Sequence, residues 1–554
     1  MTNTSTTATD TAPYLDRTTD RAQLIVDGTA FPVLGIELHN SSPSGANALA
    51  RGLEVAQAVN ANTILASVTW ESVEPIQGTF DFSSVDVLVS EARKAGMRLV
   101  LLWFGAWKNG SSSYAPAWVK RDWERYPRCV LADGRLSDTL TPFGPTELDA
   151  DAFHALVEYV EAIDSDQRTV LMIQIENEIG LLGASRDNSE WANAAFHAPI
   201  PLNLQDALAH RPGFEQGTSQ SWSAVSGDPL GRDEAFMAWG YASLVERLAS
   251  RARQVTALPL FVNAWLDSEI EMEVEGFAVG GGQVPGTYPS GGPLPRVADV
   301  WTTAAPSLDL LVPDLYFGDP DTILGAFAEV SRGLFIPEQR RDLSGIGTAF
   351  LAMGQYHAIG ISPFGVDSAE NSEISPLADA YRLLAAAHAA RKGSAAGGGS
   401  VGFHLSDAIP SVTRKLGRTV LSLSRLAGIG VDPAGAHGYG MVVDLGGDHY
   451  LAVGRGFRIE LHDRDSEWQV GLESVEELGS DGSRARWLNG DETAGGAAIL
   501  HPPVQRTLSP FPIPMDYAHT GISQFSVYRL PRHDRAAEVV ERPYHRYKAN
   551  EGRT

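Results

Sequence analysis

Sulfur chemistry is almost absent from this sequence: 554 residues contain one cysteine, Cys129. One thiol closes neither an intramolecular disulfide nor a cysteine-based zinc site, so Cys129, near Pro127 and Val130, reads as an inert side chain. Positive charge is scarce as well. Lys and Arg number 43 against 68 Asp and Glu, a formal charge of −25. Binding driven by counterion release needs clustered cations, so neither nucleic acid nor an anionic membrane surface is an expected partner. No run of about 18 apolar residues is long enough to span a bilayer. The first twenty residues are rich in Thr, Ser and Asp, with no basic segment leading into an apolar one. The expectation is a cytoplasmic protein that meets small imported molecules rather than polymers.

Several chemical signatures are missing too. There is no His-Glu-x-x-His and no tight His/Asp cluster for zinc, no Gly-x-x-x-x-Gly-Lys-Ser/Thr phosphate loop, and no Gly-x-Ser-x-Gly nucleophile elbow. No Gly-x-Gly-x-x-Gly follows the first strand, which argues against a dinucleotide fold. The glycines at 280–282 and 397–399 do not lead into a helix start of the kind that cradles phosphate. No metal and no cofactor are expected.

What is present is a folding chain, 43% hydrophobic and 20% charged. Asp27-Gly28, between Gln23–Val26 and Phe31–Leu34, is a tight-hairpin dipeptide. From there to about residue 390, short apolar runs alternate with helix-period stretches. The runs predicted as strands are Val33–Leu38, Thr63–Val68, Leu99–Phe104, Val170–Ile175, Leu260–Asn263, Leu308–Leu315, Gly333–Ile336 and Ala358–Phe364. Helices are expected after Ser83, after Asp149 or Asp151, and after Asp233. Eight strand-helix alternations over roughly 350 residues predict an α/β fold, a (β/α)8 TIM barrel; an open doubly wound sheet is the competitor.

The expected layout is a flexible tail at 1–20, the barrel at 21–390, a Gly/Ser/Ala-rich linker at 391–400, an all-β C-terminal domain at 401–545 and a second tail at 546–554. In the β domain the short alternating segments are Gly440–Asp444, His449–Val453, Phe457–Leu461 and Phe525–Leu530. Two interruptions, from about Gly180 to Gly231 and from Val274 to Pro295, leave predicted strand ends and are candidate pocket walls. The barrel and β domain together offer surface for a possible homo-oligomer.

The chemistry concentrates at Val170-Leu171-Met172-Ile173-Gln174-Ile175-Glu176-Asn177-Glu178. A strand buried on both faces ends here in two carboxylates and an amide, and burying an unpaired carboxylate costs several kcal/mol. A salt-bridged rim is one reading; a catalytic face, where strand ends point into the site, is the other. Leu334-Phe335-Ile336-Pro337-Glu338 repeats the pattern at the seventh strand. Acids on strands four and seven lie across the barrel mouth from each other, as glycoside hydrolysis requires of its proton donor and its nucleophile or base.

These motifs resemble the retaining glycoside hydrolase clan with eightfold barrels, specifically bacterial β-galactosidases of family 35. Trp70-Glu71-Ser72-Val73-Glu74-Pro75, followed by Gly78 and Phe80-Asp81-Phe82, is similar to that group's pattern after strand two, and Gln174–Gly180 to its acid/base motif. Pro337-Glu338-Gln339 looks more like family 42, and Gly35-Ile36-Glu37-Leu38-His39-Asn40 departs from the usual family 35 opening. The resemblance implies Glu178 as acid/base, Glu338 as nucleophile, Asn177 on the sugar 2-hydroxyl and Tyr316 orienting the nucleophile. Capping for Asn177 and core packing for Tyr316 are the plain alternatives.

Glu37, His39 and Asn40, ending strand one, are candidates to grip sugar hydroxyls, with a structural role the competing reading for His39. Trp70, Trp103, Trp107, Trp118 and Trp265 fall at or past strand ends, where an indole can stack on a sugar; Trp70, Trp107 and Trp265 are taken as substrate-binding. Arg340 or Arg341 is the candidate cation for the nucleophile, or else an exposed helix-start arginine. The resulting expectation is a retaining exo-β-glycosidase acting on oligosaccharides or glycosides, with β-D-galactosides first. A β-glucosidase or transglycosidase is the alternative, and a non-catalytic carbohydrate-binding barrel the remote one.

Overall fold

The computed structural model describes residues 12–18, 22–215, 219–274, 277–393, 399–426, 436–488, 490–503 and 517–532. Eight strands form a closed barrel: β1 (Val33–Glu37), β2 (Thr63–Thr69), β3 (Arg98–Lys108), β4 (Val170–Asn177), β5 (Leu260–Trp265), β6 (Leu310–Leu315), β7 (Ile336–Gln339) and β8 (Gly360–Pro363). Neighbours are parallel and follow chain order, and β8 closes on β1 through Gly360 opposite Val33 and Ile361 opposite Leu34. All eight predicted runs are barrel strands. Their ends differ, most at β7, which starts at Ile336 where the predicted run Gly333–Ile336 ends, and at β3, which continues past Phe104 to Lys108.

The period of two explains why these runs contain so few polar residues. Val33, Leu65, Val100, Leu102, Phe261, Val312 and Phe335 fill the barrel interior as one cluster. Their chain neighbours Leu34, Ile64, Leu99, Leu101 and Val262 belong to the larger core against the helices. The Asp27-Gly28 turn forms as expected, both residues with positive φ, and its hairpin carries Leu24 and Val26 into the inner cluster. The expected tail 1–20 is partly structured: Tyr14–Asp16 pairs with Gln23–Ile25, while 1–11 and 19–20 lie outside the described residues.

Helix starts differ from expectation where a better cap lies upstream. The helix Pro229–Ala252 begins four residues before Asp233, because Asp228 accepts from the Gly231 amide (3.1 Å) and Pro229 supplies a preset first-turn φ. Ser83 is already helical, and Asp81 accepts its amide at 2.9 Å. Asp149 occupies the cap position of Ala150–Asp164 without capping it; its side chain accepts from the Trp103 indole instead (2.5 Å).

The two long interruptions meet each other. The Leu181 and Ser290 backbones exchange hydrogen bonds of 3.1 and 2.9 Å, and the Gly183 amide donates to the Gly286 carbonyl at 2.8 Å. A Cβ on Gly180 would sit 2.5 Å from Pro289, so only glycine permits this approach. A hairpin, Ser268–Val274 with Phe277–Gly282, leads into the second interruption.

The C-terminal domain stacks a six-stranded on a four-stranded antiparallel sheet. The segments predicted from the sequence form Gly438–Gly446, His449–Arg455, Phe457–Asp463 and Ile522–Pro531. Phe403, Leu421, Val442, Phe457, Ile459 and Phe525 are among the residues of its core. Of the expected linker, 391–393 complete the helix Asn371–Gly393, 394–398 lie outside the described residues, and Ser400 opens a strand. The expected tail 546–554 is likewise outside them.

The domain seats on the helix Leu343–Gln355, where Ser400 Oγ donates to the Gly354 carbonyl (3.0 Å). Arg455 clamps Asp379 of the last barrel helix at 2.8 Å. A Cβ on Gly354 would lie 2.6 Å from the Gly402 Cα, backbone that cannot yield. Gly354→Ala is therefore expected to destabilise by about 1–3 kcal/mol, typical of overpacking, read as a lower urea midpoint.

Candidate active site

At the carboxyl-terminal mouth of the barrel, β1, β4, β6 and β7 bring four carboxyl groups together: Glu37, Glu178, Asp314 and Glu338, all buried. Each acts electrostatically on others in the set, and the one cation whose field reaches Glu37, Glu178 and Asp314, among the described residues, is Lys108. Burial is the largest influence, because a low-dielectric site penalises the ionised form. Burial and then the Glu338 charge push Glu178 up to about 8, while Lys108 and a hydrogen bond with Asp314 hold it back. Glu37 and Asp314 rise well above the ordinary carboxylate range, through burial first and then the neighbouring acids.

Strict alternation would send Asn177 and Glu178 to opposite faces of β4. The backbone breaks that rule: Glu176 and Glu178 both adopt left-handed φ, 59° and 44°. Such conformations cost on the order of 1–3 kcal/mol in non-glycine residues and persist only where surroundings impose them. Here the Glu178 amide donates to Asn263 Oδ1 (3.1 Å), whose Nδ2 donates to Asp314 Oδ2 (2.6 Å). Lys108 Nζ donates to Asn177 Oδ1 at 2.9 Å and lies 4.9 Å from the Phe104 ring centroid. On β7 a register shift between Ile336 and Gln339 does the corresponding work for Glu338.

Tyr316, just past β6, donates its phenol to Glu338 Oε1 at 2.5 Å. Glu338 Oε2, Glu37 Oε1 and Asn177 Nδ2 are buried and have no hydrogen-bond partner among the described residues. Native interiors rarely leave such atoms unpaired, and convergent ones mark a place where a polar ligand completes them. No group of three or more His, Cys, Asp and Glu side chains among the described residues is arranged to hold a metal ion.

The remaining candidates divide. Glu37 belongs to the cluster. His39 is exposed and bonded to Ser368 Oγ (2.9 Å), with its ring edge-on to Phe364. The Asn40 backbone carbonyl accepts from Ser67 Oγ, and its buried Oδ1 has no partner among the described residues. Trp70 is fully buried, bonded to Glu74 (2.9 Å) and packed on Trp118, so it is a core residue and no stacking platform. Trp107 is fully buried against Tyr241. Trp265 is 6% exposed, bonded to the Gly281 carbonyl (3.2 Å), and by the strand period shares the face of Asn263.

Neither arginine serves the nucleophile position. Arg340 pairs with Asp342, and Arg341 with Glu373 (2.8 Å) and the Gly365 carbonyl (2.5 Å). Glu176 also leaves the site: its carboxyl accepts from the Trp107 and Ala106 amides (2.7 and 3.2 Å) beside Asp149, and burial followed by Asp149 raises it well above the carboxylate range. Asn263 and Asp314 went unrecognised as site residues in the sequence, and Lys108 stood out there only within the subsite candidate Trp107-Lys108-Asn109. Each is a polar residue at the end of an apolar strand, the same signal that singled out Glu178 and Glu338.

The family model described as "Domain of unknown function (DUF5597)" matches residues 377–500, from the last barrel helix into the β domain. The sequence matches no curated protein. Solved structures similar to the chain include β-galactosidases from the psychrophilic Marinomonas ef1 (13% identity, TM-score 0.44) and from Bacillus circulans sp. alkalophilus (13%, 0.43). Each match covers 64% of this chain, and the chain spans 60% and 56% of those two proteins. The catalytic domain of a β-amylase from Paenibacillus polymyxa is similar at 12% identity and TM-score 0.42, over 62% of this chain and 94% of that one. None of these likenesses bears on the chemistry of this chain.

The raised Glu178 carboxyl gives a stability test. Its folded value, about 8, exceeds the unfolded one, so its contribution is complete below the unfolded value and is lost as pH rises through the folded one. Glu178→Gln is expected to flatten the decline in unfolding free energy between about pH 4.5 and 8. The variant should exceed wild type at pH 8 by on the order of a few kcal/mol, measured by urea denaturation across pH.

Proposed function

We propose that this protein is a glycoside hydrolase that cleaves terminal β-linked sugars by retaining double displacement, with β-D-galactosides its first class of substrate. The observation that carries this reading is the pair Glu178 and Glu338 at the ends of β4 and β7, one carboxyl held protonated near neutrality and the other fixed by Tyr316. Two carboxyls so differentiated match the needs of the reaction. Glu338 attacks the anomeric carbon while Glu178 protonates the departing glycosidic oxygen. Water then enters, Glu178 takes its proton, and the glycosyl–Glu338 ester is released as the free sugar with the original anomeric configuration.

The supporting groups have roles in the same scheme. Asn177, held by Lys108, keeps its amide NH2 available to a sugar hydroxyl, and Glu37 offers an unpaired oxygen to another. Asp314, through Asn263, supports the backbone of the acid. Galactoside preference over glucoside turns on the position of one hydroxyl and is assigned by a panel of 4-nitrophenyl β-glycosides.

Glu338→Gln is expected to lower turnover of the cleaved nitrophenyl glycoside by about 10²–10⁴-fold or more. Glu178→Ala with azide should yield the β-glycosyl azide; an α product would overturn retention. Because the acid must be protonated to act, kcat/KM should fall above pH 8, and this limb should vanish in Glu178→Gln assayed with an activated leaving group.

A further inference from the structure

Beside the carboxylate cluster, a cavity of about 430 Å³ opens between the barrel mouth and the β domain. Its barrel wall comes from the segments after β6 and β7, including Tyr316, Phe317, Ser344 and Thr348; its other wall comes from the β domain, including His404 and His437. The volume falls within the roughly 300–1,000 Å³ of small-molecule sites. Tyr316 belongs to both places: its phenol is bonded to Glu338 and the residue lines the cavity. The cavity therefore begins one side chain away from the proposed nucleophile.

The lining chemistry selects a neutral, hydroxyl-bearing ligand. The charged residues of the wall are satisfied locally, Arg340 by Asp342 and Asp319 by the Thr322 amide and hydroxyl. His404 Nε2 and His437 Nδ1 share one hydrogen bond of 2.9 Å, with the rings stacked at 5.1 Å. One nitrogen of that bond donates and the other accepts. In a neutral pair, whichever tautomers form, the two outer nitrogens consist of one donor and one acceptor, as a sugar hydroxyl requires. Burial, and then the mutual repulsion of two cations, depresses His404 to about 4, so the pair is neutral at physiological pH. Tyr316 and Phe317, with ring centroids 6.2 Å apart, add an aromatic surface of the kind that receives the C–H face of a pyranose.

We propose that this interdomain cleft binds the adjoining sugar unit of an oligosaccharide whose terminal residue occupies the carboxylate cluster, with the His404–His437 pair as its hydroxyl-reading element. The inference rests on the glycosidase reading. It makes the β domain a part of substrate recognition and predicts that the enzyme prefers oligosaccharides to simple glycosides.

The test compares wild type, His437→Phe and His437→Gln with β-1,4-galactotriose, cellotriose and the matching 4-nitrophenyl β-monoglycosides. Thermal melts of all three proteins monitor folding. The expected result is that His437→Phe lowers the ratio of kcat/KM for trisaccharide to kcat/KM for nitrophenyl glycoside about tenfold, while His437→Gln, which keeps a donor and an acceptor, recovers most of it. An unchanged ratio for both trisaccharides overturns the proposal. So does an equal loss in His437→Phe and His437→Gln, which marks a structural role.

Calorimetry on Glu338→Gln, with and without His437→Phe, reads trisaccharide binding apart from turnover. Binding that is lost with His437→Phe, in a wild type that cleaves no β-glycoside, supports the cleft and overturns the glycosidase reading. Binding insensitive to His437→Phe, or no binding, overturns the cleft alone.

Discussion

Four carboxyl groups are buried together at the mouth of the barrel, where Lys108 is, among the described residues, the one cation whose field reaches Glu37, Glu178 and Asp314, and carboxyls so placed cannot all be ionised. The site resolves this by differentiation. Glu338 receives the Tyr316 phenol on one oxygen. Glu178, Glu37 and Asp314 are pushed towards their protonated forms by burial and by that neighbouring charge. Protonation replaces repulsion with hydrogen bonding, and the same arrangement produces an acid that can give up a proton near neutrality.

Holding these groups at fixed positions takes backbone that a barrel strand does not ordinarily adopt. The left-handed residues Glu176 and Glu178 turn the end of β4 so that consecutive residues serve the same region. Neighbouring strands supply the compensation: β3 gives two amides to Glu176, and the Asn263 side-chain oxygen on β5 accepts from the Glu178 amide. Strain at one strand end is thus offset by hydrogen bonds from the strands on either side. Below this level the barrel interior is filled by Val, Leu and Phe side chains in one contiguous cluster.

The β domain extends the site sideways. Its close seat on Leu343–Gln355, set by Gly354 against Gly402, brings His404 and His437 to the segments that follow β6 and β7. Those segments also carry Tyr316 and follow Glu338, so the β domain seats against the same segments that surround Glu338. The paired long loops after β4 and β5, joined through Leu181 and Ser290, wall the mouth on another side.

The barrel was legible because its information is local. Eight apolar runs with intervening helical periods define strands buried on both faces, and a polar residue ending such a run is conspicuous; that is how Glu178, Glu338 and Glu37 stood out. The same rule, applied to Asn263 and Asp314, would have found them.

Other readings depended on which way a side chain turns. Trp70 and Trp265 look alike as tryptophans near strand ends, yet one is locked in the core by Glu74 and Trp118 while the other shares the face of Asn263. Arg340 and Arg341 follow Glu338 in sequence, but nearby acids capture both, and the cation beside the cluster arrives from β3. Composition and periodicity determined the architecture and the two acids, since both depend on spacing along the chain. Protonation, orientation and the interdomain cleft were decided only by tertiary structure, because they depend on charges and hydrogen-bond partners far apart in sequence that the closed barrel and its seated β domain bring together.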